Sequence, residues 1–236
     1  MEFTFDFYIN LIMHLKEHYD FSSFSNYFPK KKLYLRHDVD VFPENIINLV
    51  EVEERAGVRS IFFFQPNCSF YNMLSSEIRE IIRILEKSEF EVGLHIDASD
   101  LASRESIERE VRGLFGFYSG YYNISNVISF HRPPERLLQN LQIPGFVNTY
   151  EDRFFKMIYY FSDSNRRYFY DQMIESIQKD KEKSIQLVVH PYWWDYEHLD
   201  IQGLLTRLET MKTNETRFAL TRGTKIYKQY FSRMNT

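Results

Sequence analysis

Leu33-Tyr34-Leu35-Arg36-His37-Asp38-Val39-Asp40 reads as a short apolar strand running into a charged tip. Side chains alternate across a strand, so Asp38 and Asp40 share one face and His37 takes the other. Two carboxylates held side by side repel, and one would normally take up a proton. A bound cation removes that conflict. So does a division of labour, with one carboxylate on a metal and the other acting as a base. Alone, the pair also reads as two solvated residues before the turn at Pro43. The pattern further along the chain separates these readings.

Beyond this strand, Pro43 opens a helix and Gly57 closes it, the usual asymmetry of helix ends. Further strands are expected at 60–64, 90–95, 126–131, 146–150, 157–161 and 185–190. Ser75 and Ser76 can cap a helix with Ile78, Ile81, Ile82 and Leu85 on one face. Helices are also expected over 103–115 and around 171–179. Seven strands alternating with helices argue for a parallel α/β fold. The expectation is a distorted seven-stranded (β/α) barrel, whose chemistry sits at the C-terminal strand ends. Residues 5–19 form an amphipathic helix before the first strand. From about residue 200 the chain is helical, with Ile201, Leu204, Leu205, Leu208 and Met211 in register, and the last twenty residues stay unassigned. No Gly-, Pro- or Ser-rich linker and no repeat interrupts the chain, so 1–236 reads as a single domain.

Composition narrows the function classes. Of 236 residues 44% are hydrophobic, enough for a sizeable core, and the 22 Phe and 17 Tyr suit a core with an aromatic-lined cleft as well as plain packing. The net charge of −4 comes from interspersed acids and bases, without the basic stripe of a nucleic-acid binder. Cys68 is the one cysteine, which leaves no internal disulfide and no thiolate metal cluster. The N-terminus is acidic where a signal peptide is basic, and the apolar run at 7–13, interrupted by Asn10, is too short to span a membrane. A soluble cytoplasmic protein without a membrane span is expected.

Four of the seven histidines stand at strand ends: His37, His95, His131 and His190. Asp163 follows a strand as well, and Arg132-Pro133-Pro134 follows His131. Singly, each reads as a rim residue. In a barrel-like fold these ends converge on one mouth, and imidazole with carboxylate is the mixed donor set of zinc and similar divalent ions. His14 and His18, four apart on the first helix, read as surface residues.

Five stretches, in order, carry a resemblance: Leu35-Arg36-His37-Asp38-Val39-Asp40, Val92-Gly93-Leu94-His95-Ile96-Asp97, Ser129-Phe130-His131-Arg132-Pro133, Tyr160-Phe161-Ser162-Asp163-Ser164 and Val189-His190-Pro191-Tyr192-Trp193-Trp194. The chain resembles the polysaccharide deacetylase (NodB-homology) superfamily, more closely its cytoplasmic branch associated with bacterial surface-polysaccharide synthesis. The resemblance implies Asp38 as catalytic base, Asp40 and His95 as ligands of one divalent ion, with zinc first, and His190 as general acid oriented by Asp163. It implies that Arg132 pairs with Asp38. Where the family places a second histidine four residues after His95, this chain has Ser99; His131, Asp97 or Asp100 are the replacements, His131 first because it ends a neighbouring strand. The implied reaction is removal of an acyl group, most simply acetyl, from a small or carrier-linked amino sugar. A sugar- or partner-binding protein without activity and a hydrolase of another C–N amide are the rival readings.

Overall fold

The computed structural model describes residues 2–41, 43–134 and 141–234. The chain forms two compact units, Met1–Glu197 and His198–Thr236.

The first unit carries β1 (Asp20–Phe21), β2 (Lys32–Val39), β3 (Ile61–Phe64), β4 (Glu91–Asp97), β5 (Ile124–His131), β6 (Val147–Asn148), β7 (Tyr159–Ser162) and β8 (Ile185–Val189). Its helices are α1 (Phe5–Lys16), α2 (Ile46–Ala56), α3 (Ser76–Lys87), α4 (Arg104–Tyr118), α5 (Asp152–Phe155) and α6 (Tyr170–Lys179). Seven strands form one path in the order β6-β5-β4-β3-β2-β8-β7, every pair parallel. The two-residue β1, unforeseen in the sequence, pairs with the start of β2 below the point where β3 begins. Among the described residues no ladder joins β6 to β7, so the sheet is a curled half-barrel rather than a closed one. The curl is recorded by side chains that cross it: Gln186 of β8 donates to the carbonyls of Thr149 and Phe154, beyond the opposite edge strand.

Local sequence sets the elements. Thr4, Ser75 and Ser103 accept hydrogen bonds from the first turns of α1, α3 and α4. Gly57 ends α2 with φ +63°, a left-handed cap that glycine adopts without a Cβ penalty. The outer sheet face is apolar: Phe62, Phe64, Leu94, Ile96 and Phe130 pack with Ile78, Ile82, Ile107 and Val111 of α3 and α4. Leu33, Leu35 and Leu187 pack with α1, α2 and α6. On the inner face, Tyr34, Ile61, Phe63, Val127, Phe154 and Ile158 fill the bottom of the half-barrel. Apart from Gln186, the polar side chains of the inner face gather towards the C-terminal strand ends, and this places the site.

Gly93 of β4 lies under this polar layer. A Cβ there would stand 2.5 Å from the Phe63 ring and 2.9 Å from the Val127 carbonyl. The bare backbone lets the Phe63 ring approach β4 closely.

The second unit is a helical pair, α7 (Ile201–Gly223) and α8 (Lys225–Met234). Asp200 caps α7 by accepting from the Gly203 amide. The unassigned sequence tail thus holds the end of α7 and all of α8.

Candidate active site

β2 brings Arg36, Asp38 and Asp40 to the inner face, and turns His37 outward. The outward His37 is fully buried, with Nε2 2.6 Å from Glu53 Oε1 on α2. The same carboxylate accepts from Tyr8 of α1 and from Ser60, each at 2.6 Å. The network ties two helices to the back of the strand that carries the inward aspartates.

Asp40 collects donors from four elements. Its Oδ1 lies 3.2 Å from His95 Nε2 and 3.2 Å from His131 Nδ1. Gln65, just past β3, donates to it at 2.8 Å, and His190 Nε2 stands 3.5 Å from Oδ2. Burial alone would raise this carboxyl's pKa; the hydrogen bonds from His131 and His95 and the His95 and His190 charges overcome it and hold Asp40 far below the usual carboxylate range.

Asp40, His95 and His131 hold one ligand atom each within 4.8 Å of one another. Donor separations of 3.2 Å match the edge of about 3.3 Å of a tetrahedron built on metal bonds of about 2.0 Å. Asp38 stands beside this group, 3.7 Å from His95 Nε2, and its Oδ1 is buried without a hydrogen-bond donor. A buried carboxylate oxygen without a partner is costly, and a cation or the water it binds relieves it. The residues fit a divalent ion. Ser99 is no part of this group: its amide donates to Asp97 and caps the turn after β4.

Arg132 is not beside Asp38. It follows the end of β5 with φ +47°, exposed, and its guanidinium meets Asp97 on the rim. The arginine paired with Asp38 is Arg36, two residues earlier on the same inner face, with Nη2 3.1 Å from Oδ2. Arg36 is fully buried, donates to Thr149 and to Tyr150 Oη, and lies 4.9 Å over the Tyr150 ring. The expected Arg132–Asp38 pair is thus replaced, because the strand parity of Arg36 already delivers a guanidinium under Asp38.

His190, after β8, and Asp163, after β7, are joined. His190 Nδ1 lies 2.5 Å from Asp163 Oδ1, and the His190 amide donates to both carboxylate oxygens at 3.0 Å. The Trp194 indole donates to Asp163 Oδ2 at 2.9 Å. This arrangement fixes the Nδ1–H tautomer and leaves Nε2 facing the site. Burial pulls the His190 pKa down, but the charge and hydrogen bond of Asp163, with Asp38 and Asp40, raise it to about 9. Trp194 packs edge-on to Phe3 and Tyr8, and Asn45 donates to its carbonyl at 2.6 Å, so the N-terminal segment braces the pair.

Tyr192 lies with its ring 6.3 Å from that of His190 and 3.9 Å from Trp193. A second three-donor group, His14, Glu17 and His18, lies at the end of α1. Glu17 is the third donor that a reading of the histidine pair alone passes over.

No family model matches the chain, and no curated protein matches it. Several solved structures are similar in architecture. A CE4 family pseudoenzyme from Bacillus anthracis aligns at 14% identity over 77% of this chain and 62% of its own, with TM-score 0.45. The chitin deacetylase from the fungal pathogen Colletotrichum lindemuthianum aligns at 16% identity over 75% of this chain and 81% of its own, with TM-score 0.43. A family 4 acetyl xylan esterase from Clostridium thermocellum, in complex with a cobalt ion, aligns at 14% identity over 82% and 93%, with TM-score 0.41. The chain spans less than two thirds of the length of the pseudoenzyme.

Proposed function

We propose that the protein is a divalent-metal-dependent hydrolase that removes an acyl group, most simply acetyl, from an amino-sugar-containing intermediate of surface-polysaccharide synthesis in the cytoplasm. The observation that carries the reading is the meeting, at one mouth, of the Asp40–His95–His131 donor group with the Arg36–Asp38 and Asp163–His190 pairs. Asp40, His95 and His131 would hold the ion, zinc first. When bound, such an ion supplies Lewis acidity and lowers the pKa of water towards about 7.

The chain's own residues divide the rest of the work. Asp38, fixed through Oδ2 by Arg36, offers Oδ1 as the base that takes the proton of the attacking water. His190, protonated on Nε2 and held by Asp163 through Nδ1, gives its proton to the departing amine, which is too basic to leave as an anion. Tyr192 offers an aromatic face for a sugar ring above His190.

The test is metal content together with acetate release from N-acetylated amino sugars, in a His14→Ala, His18→Ala background that removes the second donor group. Roughly one ion per chain is expected, lost in Asp40→Asn and His131→Ala and retained in inactive Asp38→Asn. A protein that neither retains an ion nor takes one up on titration is a binding protein and not this hydrolase. Turnover of small cyclic amides instead of acylated sugars moves the reading to another C–N bond.

A further inference from the structure

The helical unit at the C-terminal side has a charge and polarity pattern that the active site does not use. Residues 216–236 hold five Lys and Arg and no Asp or Glu, in a chain of net charge −4. On α8, at about 100° per residue, Ile226, Tyr227, Tyr230 and Phe231 fall within one arc of about 140°. Lys225, Lys228 and Gln229 occupy the opposite side. Phe231 turns towards α7, its ring 5.3 Å from the Arg217 guanidinium. The other three are bare: Ile226 is 71% exposed, Tyr230 58% and Tyr227 42%. On α7, Phe218 is 58% exposed, with the Arg222 guanidinium 5.4 Å over its ring.

We propose that α8, with the end of α7, is a surface anchor that lies flat on an anionic phospholipid bilayer. A basic amphipathic helix with aromatic and aliphatic residues on its other face seats that face at the boundary of headgroups and acyl chains. Tyrosine suits this depth, since its ring enters the apolar zone while its hydroxyl stays wet. Arg217 and Arg222, against the Phe231 and Phe218 rings, and the long side chains of Lys225 and Lys228, which reach round from the far side of the helix, complement the negative headgroups. No helix among the described residues is long and apolar enough to cross a membrane, so the contact is peripheral. The anchor stands independently of the hydrolase reading, because binding is measured without turnover.

The test is co-sedimentation of the full-length protein with sucrose-loaded vesicles, phosphatidylcholine alone against phosphatidylcholine with phosphatidylglycerol. Binding is expected on the mixed vesicles only, weakening as salt rises. Each Lys charge near the surface accounts for about fivefold in partitioning, so Lys225→Gln with Lys228→Gln should lose about 30-fold. Ile226→Ala with Tyr230→Ala should lose binding as well, with unchanged circular dichroism in both variants. Equal partitioning on both vesicles overturns the proposal. So does binding that the Ile226 and Tyr230 changes leave intact, since a basic tail adsorbing to any polyanion behaves that way. Concentration-dependent dimers that the Ile226 and Tyr230 changes abolish, without vesicle binding, assign the face to a second copy of the chain and also overturn it.

Discussion

Arg36 and Asp38 stand two residues apart on one strand, face inward together, and meet at 3.1 Å in a fully buried ion pair. Removing one member of such a pair leaves an uncompensated charge, which costs about 3–5 kcal/mol. Arg36→Met should therefore lower unfolding stability by that order and abolish turnover, because Asp38 loses the group that positions it. Arg132→Met should leave both nearly unchanged, since Arg132 meets Asp97 at the exposed rim. Chemical denaturation beside acetate release reads both. A silent Arg36 variant and an inactive Arg132 variant would return the role to Arg132.

His190 sets the alkaline side of activity. Its acid form donates to the leaving amine, so turnover should persist through neutral pH and fall as pH rises towards about 9. Asp163→Asn removes the charge that raises this pKa, and the alkaline limb should move to lower pH with a smaller maximal rate. The sign for stability is the same. The folded-state pKa is raised, so the contribution is complete below the ordinary value of about 6.5 and is lost as pH rises through about 9. A pH–rate profile of both proteins measures the shift, and an unmoved limb would remove His190 from the acid role.

Gly93 carries a packing prediction. Gly93→Ala puts a methyl group 2.5 Å from the Phe63 ring, with the Val127 carbonyl 2.9 Å on the other side. Backbone cannot yield as a flexible side chain does, so about 1–3 kcal/mol of stability should be lost. His95 is two residues on, facing the same way, so metal affinity should weaken with it. Calorimetry and metal titration of one variant check both.

Glu53 should be structural without being chemical. Glu53→Ala strips three hydrogen bonds from Tyr8, His37 and Ser60 in a fully buried site, an expected loss of about 3–5 kcal/mol. If the variant folds at low temperature, its ion content should match that of the parent. An ion lost from a folded Glu53 variant would show that the two faces of β2 are coupled.

Much of this arrangement was legible. The longer strands of the path read as apolar runs, while β6 shrinks to Val147–Asn148 within the expected 146–150, and period-two parity places His37 opposite Asp38. Residues whose neighbours lie far along the chain were not. Glu53 interrupts the apolar stripe of α2, next to Val52 and four residues after Leu49, and a charge on such a stripe was the available signal. Arg36 shares the inward parity of Asp38, but the family resemblance maps its arginine onto Arg132. Trp194 reaches Asp163 through a short 3-10 turn after Pro191, and no periodicity encodes such a turn.

The two faces of β2 also guard its alignment. A slip of one residue that puts Asp38 in the place of His37 would turn it towards the closed pocket where Glu53 already sits, and would move Val39 into the place of Asp38. Two buried carboxylates would then face each other with no cation between them, and Arg36 would enter an apolar helix interface. The misaligned strand is thus penalised on both sides at once. Proofreading of the pairing is written into five consecutive side chains, Arg36 to Asp40.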